Sequence, residues 1–258
     1  MELLRALLLV TVTLHLCQAI PLLSHSGASE ASCSLIVSGE YFTSYKITEP
    51  GVVTSVDLVN EDSSEDCQLR LLVVGGGGYS DHGAGGGSGY LTYTSQQVAP
   101  GVSSMTVAVG DYGEQSNVTV DGVTITAQPG QDGYIEGFVI RGGDGYSGGG
   151  DYGQYNGGTA GGDGRGNDGG HGTGEDVTGE AFTLQSWQLS PGAGGHYSTS
   201  STGYWGGGGG GVLVDSQGPL RAADTQGAGY GGGASYKDND GETLGVGLPG
   251  VVLVEVGP

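Results

Sequence analysis

The chain has 258 residues, enough for one large or two small domains, and 58 of them are glycine, about three times the usual share. Against 28 Asp and Glu stand only 7 Lys and Arg, a formal charge of −21 at pH 7. So acidic a surface repels phosphate backbones and anionic lipid, which argues against nucleic acid and membrane-surface partners and leaves divalent cations or basic partners as attractive ones.

The first residues read as a secretory signal. Arg5 and the α-amino group make a positive start, and Leu7 to Leu16 form an apolar core too short to span a membrane. Cys17 and Ala19 then place small residues at positions −3 and −1 of a cleavage site. Cleavage after Ala19 removes residues 1–19 and leaves a tail, 20–32, before a glycine-rich β domain, 33–258. No later stretch approaches 18 apolar residues, so the expectation is a secreted, extracellular, soluble protein without membrane insertion.

Secretion changes the meaning of the cysteines. Cys17 leaves with the signal, and an oxidising compartment most simply joins Cys33 to Cys67, two free thiols being the alternative. Closing a loop of roughly 35 residues would contribute about 3–4 kcal/mol. Asn117-Val118-Thr119 is the single N-x-S/T sequon, a candidate N-glycosylation site.

Residues 33–141 are strand-rich. "SLIVSGEYF", "GVVTSVDLV" and "QLRLLVV" are short β-branched and aliphatic runs between polar or Pro/Gly breaks, with a solvated acidic turn at 61–66. Further on, Met105, Val107 and Val109 alternate with polar or small residues, the period of a half-buried strand. In "NVTVDGVTIT", Asp121-Gly122 between two alternating runs predicts a hairpin with a type I′ turn. Residues 142–174 are a low-complexity glycine region. Glycine fills 7 of 11 third positions in the best frame and proline is absent, which excludes a collagen triple helix. Residues 175–258 return to strand and glycine, through "AFTLQSWQLSPG" and "GYWGGGGGGVLV" to "LPGVVLVEVG", where Val251 to Val254 suits a central strand. No amphipathic helical pattern of ten residues occurs, so the fold class is all-β.

The stretch "RLLVVGGGGYSDHGAGGGSGYL", Arg70 to Leu91, begins as a dinucleotide loop does, but no helical pattern follows it and no ribose-binding acid stands about 20 residues on. No Gly-Lys-Ser/Thr occurs either, which removes a P-loop. Two readings of the glycine remain. Polar glycine runs bury too little to offset chain entropy and make flexible linkers. Alternatively, with no Cβ to hold backbones apart, they pack side by side as polyproline-II-like helices whose hydrogen bonds run between neighbours. The runs abut strands and carry Tyr79, Tyr90, Tyr146, Tyr204 and Trp205 at their margins, which favours packing.

The ordered pattern "LLVVGGGG…GAGGGSGYL…VAPG…MTVAVG…PGQDG…GGDGYSGGG…GGGGGGVLV…GYGGG…LPGVVLVEV" resembles the glycine-rich domain of bacteriophage tail adhesins and bacterial surface proteins. It is also similar to the glycine-rich extracellular segment of anaplastic lymphoma kinase-type receptors. The resemblance spans roughly Cys33 to Val256 and implies a β-sandwich-like scaffold carrying packed glycine helices. It also implies extracellular recognition, transfers no individual binding residue and, without a kinase domain, carries over no signalling.

No catalytic motif is present. His25, His82, His171 and His196 sit among glycine or serine, and neither H-E-x-x-H nor G-x-S-x-G occurs, so no enzyme is expected. In "YKDNDGE", Asp238, Asp240 and Gly241 match positions 3, 5 and 6 of a calcium loop, while Tyr236 and Gly247 stand where its first and last ligands belong. It is not an EF-hand, and Asp238, Asp240 and Glu242 are the candidate calcium ligands; no other cofactor is expected. Aromatics on loops held by a rigid scaffold anchor binding partners, which nominates Tyr79, Tyr90, Tyr146, Tyr204, Trp205 and Tyr230. The expected function is non-enzymatic recognition or adhesion toward an extracellular protein or glycan. The alternative is a self-associating, glycine- and tyrosine-rich component of a matrix or coat.

Overall fold

The structure is a computed structural model that describes residues 22–25, 33–38, 43–60, 67–81, 83–99, 101–136, 139–149, 184, 187–191, 197–200, 203–206, 208–209, 211–214, 229–234 and 245–257. Among these residues there are strands and no helix. In chain order they are β1 (Leu22–His25), β2 (Cys33–Ser38), β3 (Thr43–Ile47), β4 (Val53–Asn60), β5 (Cys67–Val74), β6 (Leu91–Val98), β7 (Gly101–Ala108) and β8 (Ser116–Val120). There follow β9 (Val123–Ala127), β10 (Tyr134–Glu136), β11 (Val139–Arg141), β12 (Leu189–Pro191), β13 (Tyr197–Ser200), β14 (Gly203–Gly206), β15 (Val212–Val214) and β16 (Val251–Gly257).

Two five-stranded antiparallel sheets, ordered β1-β4-β7-β8-β9 and β2-β3-β16-β5-β6, carry the fold; β10-β11, β12-β15 and β13-β14 are two-stranded ribbons. The hydrophobic alternation sorts residues between two cores. Leu69, Leu71 and Val73 of β5 and Val252, Val254 and Val256 of β16 meet Met105 and Val107 of β7 and Val118 and Val120 of β8, which is the core between the sheets. The intervening Leu72, Val74, Val251 and Leu253 face the other way, into a second core with Tyr146, Leu184, Trp187, Leu189, Val212 and Val214. β5 and β16 are therefore covered on both faces, and this explains their unbroken aliphatic runs. Fully buried Glu255 is tolerated because Arg70, its register partner on β5, bonds it at 2.8 Å. The expected hairpin forms at β8–β9, with Asp121 at φ 48° and Gly122 at φ 82°.

Within residues 20–32, β1 pairs with β4 along Leu22↔Val59 to His25↔Val56. The Cys33–Cys67 disulfide does not fit the sheet. Cys33 lies level with Ile47, Val252 and Val73, whereas Cys67 stands at the far end of β5, three strands across. Three strand spacings and six residues of rise separate their Cα atoms by about 25 Å, where a disulfide needs less than about 7 Å. Cys67 is instead buried in the core between the sheets.

β5 runs into a glycine segment at the same end of its sheet as glycine segments feed β6 and β16, because Val74 is level with Leu91 and Val251. The segments gather there around residues 84–90. Gly86 and Gly89 donate to Ala234 and Gly231, Gly87 and Tyr90 donate to Gln131 and Gln128, and Ser88 donates to Ser147, all at 2.7–3.0 Å. Every third N–H thus reaches the same neighbour, which is the threefold screw of polyproline II. The flanking segments obey the same period: Gly75 and Gly78 donate to Tyr90 and Gly87, and Gly130 and Gly133 to Gly76 and Tyr79. For the described segments the packed reading holds and the linker reading does not.

The spacing of this bundle depends on the missing side chains. A Cβ at Gly89 would stand 1.9 Å from the Gly75 oxygen, at Gly143 1.9 Å from the Gln131 oxygen, and at Gly130 2.1 Å from the Gly87 oxygen. Where each methyl would go, an α-hydrogen points at a carbonyl, a geometry for a weak C–H···O bond. Ser116 ties bundle to sheets: its buried Oγ donates to the Val74 carbonyl at 2.7 Å and accepts from the Gly110 N–H at 2.9 Å.

Substitution should separate steric exclusion from ordinary glycine strain. Gly89→Ala forces one backbone off another and is expected to cost about 3 kcal/mol. Gly122→Ala meets open space at a positive φ and should cost about 1 kcal/mol. Urea unfolding checks this; equal losses would mean that close approach is not what the bundle requires.

Candidate recognition site

The exposed aromatics of the described residues converge at one flank of the bundle. Segment 75–79 leaves β5 and ends at Tyr79, whose N–H donates to Asp132 Oδ1 at 2.8 Å. The β7–β8 connection approaches it with a tight turn, Asp111 to Glu114, closed by the Glu114 N–H donating to the Asp111 carbonyl at 3.0 Å. Asp111 Oδ1 accepts the Tyr112 N–H at 2.8 Å, and Glu114 Oε2 accepts the Asp111 N–H at 3.4 Å. Gly113, at φ 69°, donates its N–H to the Gly77 carbonyl at 2.8 Å and so pins the turn to the bundle. A methyl there would stand 2.9 Å from Tyr79 Cε2, so the Tyr79 ring lies directly over the glycine.

Tyr79 and Tyr112 meet edge to face, with ring centroids 5.3 Å apart and planes at 86°. They remain 36% and 37% exposed. Asp111, Glu114 and Asp132 surround the pair, and the Arg70–Glu255 ion pair lies elsewhere. Partial burial raises the Tyr79 phenol above its usual value, and the charges of Tyr112, Asp132, Asp111 and Glu114 push it the same way. The phenol is therefore neutral at physiological pH, a hydrogen-bond donor and not an anion.

The other nominated aromatics have different positions. Tyr146 is buried at 4% exposure in the second core, which corrects its reading as a loop anchor: Leu72 and Leu253 turn an apolar sheet face toward the glycine segment that carries it. Tyr90 is half-buried, and its backbone links 75–78 to 128–131. Tyr230 packs partly against the second core beneath the Lys46 ammonium, 5.7 Å from its ring centroid. Tyr204 and Trp205 stand opposite Thr199 and Ser198 in the β13–β14 ribbon. Asn117 is on β8, where its Oδ1 accepts the Thr126 hydroxyl at 2.7 Å. Asp238, Asp240 and Glu242 lie outside the described residues.

Tyr112 was not nominated from sequence. Its signal is "VGDYGEQSN", an aromatic between glycines in a short gap separating two strand patterns. Comparisons with family models, with curated proteins and with solved structures return no match.

Tyr90 and Tyr93 share the raised phenol of Tyr79, each mainly through burial, opposed at Tyr93 by the charge of Arg70. A phenol with a higher pKa folded than unfolded contributes stability in full below the unfolded value of about 10, and loses it as pH rises through the folded value. The melting temperature should therefore fall as pH increases above about 10. Tyr79→Phe should make that fall shallower in pH-dependent thermal unfolding. A midpoint that rises with pH would contradict the assignment.

Proposed function

We propose that the mature chain is a secreted, non-enzymatic recognition module that engages an extracellular protein or glycan through the flank carrying Tyr79 and Tyr112. The observation that carries this reading is the exposed aromatic pair at 5.3 Å, mounted on backbone that is hydrogen-bonded into the bundle. Tyrosine offers a large amphipathic surface at little rotamer cost, and a binding group already held in place loses less entropy on association. The signal-like N-terminus and the excess of acids accord with an extracellular setting.

The chain from Ile20 onward, applied to arrays of glycans and of acidic, neutral and basic peptides, should give a saturable isotherm on at least one class. Tyr79→Ala should weaken that binding about tenfold or more with the melting temperature preserved. Absence of any saturable ligand, together with concentration-dependent self-association in sedimentation, would replace recognition with the structural matrix or coat role.

A further inference from the structure

We infer that the Tyr79–Tyr112 pair is a seat for a cationic side chain, and that the partner is a basic, arginine-bearing protein segment. This inference rests on the recognition reading above and gives its ligand a chemistry. A tyrosine face carries negative quadrupole charge, so two perpendicular rings side by side present one face and one edge to anything docking against them. A guanidinium can lie flat on the exposed face while its N–H groups reach outward in a fixed fork.

The rim decides the sign of the occupant. Asp111, Glu114 and Asp132 each use a carboxylate oxygen for a backbone N–H of the site itself, so they are held in position. No cation pairs with them among the described residues. A neutral glycan would receive from these acids only hydrogen-bond acceptance, and an anionic ligand would be repelled. A guanidinium receives ring, charge and bidentate hydrogen bonding together. The net charge of −21 adds long-range attraction for the same class of partner.

Bulk attraction and a built seat are separable by titrating acetyl-(Gly-Arg)3-amide into the mature chain at physiological salt, with the isosteric citrulline peptide as the uncharged control. NMR chemical-shift changes give both site and affinity. The arginine peptide is expected to shift resonances at 79, 112 and 132 and the citrulline peptide to shift none. Asp132→Asn keeps the acceptor for the Tyr79 N–H and removes the charge, and should weaken binding about fivefold. Tyr112→Leu keeps every carboxylate and should weaken it by a similar factor. Asp57→Asn, on β4 away from the site, should change nothing, and melting temperatures identify any variant that misfolds. Binding that falls equally with Asp57→Asn, ignores Tyr112→Leu, or fails altogether overturns the cationic seat. If the arrays still show a Tyr79-dependent ligand that is neutral, the recognition reading survives and the cationic seat does not.

Discussion

Backbone hydrogen bonding between segments that lack Cβ atoms is the interaction on which the rest of the molecule depends. A sheet satisfies each N–H and C=O within a plane, through two neighbours. In residues 84–90 the donors point in three directions about the axis, so the segment is held by neighbours on all sides. The cost is steric: a neighbouring carbonyl occupies the position that a side chain would take at Gly75, Gly87, Gly130 and Gly143. The sheets supply what the bundle cannot, since the apolar burial that offsets chain entropy comes from β5, β16 and the cores on either side of them. Neither part accounts for the fold alone, and Ser116 joins them at atomic contact.

Much of the sheet architecture was legible in the amino-acid pattern. Asp121-Gly122 dictates its hairpin locally, and Met105, Val107 and Val109 announce a buried face by alternation. The continuous Val251–Val254 run marks a strand covered on both faces. What was not legible depends on pairing between distant segments. The parity of two remaining cysteines points to a bridge, yet strand order and register decide whether they meet, and those are set by β3 and β16 between them. Tyr146 looks exposed in a glycine run, and becomes core because an apolar face from β5 and β16 packs over it. The threefold period is hidden as well. Glycine is needed only where the missing Cβ would point at a carbonyl, so Ala84, Ser88 and Ala234 can occupy other positions. A donor pattern with strict period three therefore coexists with an imperfect glycine frame.

The candidate site was half legible for the same reason. Tyr79 stands out at the end of a glycine run, but its partner lies in the β7–β8 turn, and the two meet because the Gly113 N–H bonds Gly77 and the Gly76 N–H bonds Glu114. The carboxylates around them do not stand out in a chain with 28 acids until the turn fixes Asp111 and Glu114, and the Tyr79 N–H fixes Asp132, beside the rings. Backbone geometry therefore does for this surface what a hydrophobic pocket does for an ordinary site: it holds a small aromatic group still.

The central position of residues 84–90 bears on the order of events during synthesis. Its N–H groups bond to residues as far along the chain as Gly231 and Ala234, and Gly77 bonds to Leu248. Until those residues have left the ribosome, the N–H groups of Gly86 and Gly89 lack the partners they bond in the finished bundle. Local turns such as the β8–β9 hairpin can close early, whereas the bundle has to wait, which places it among slow, non-local assemblies of high contact order. During that wait water serves the exposed peptide groups, a role the sparse side chains and polar glycine runs suit. The same composition that lets the backbones pack closely at the end keeps them solvated and apart until the end is reached.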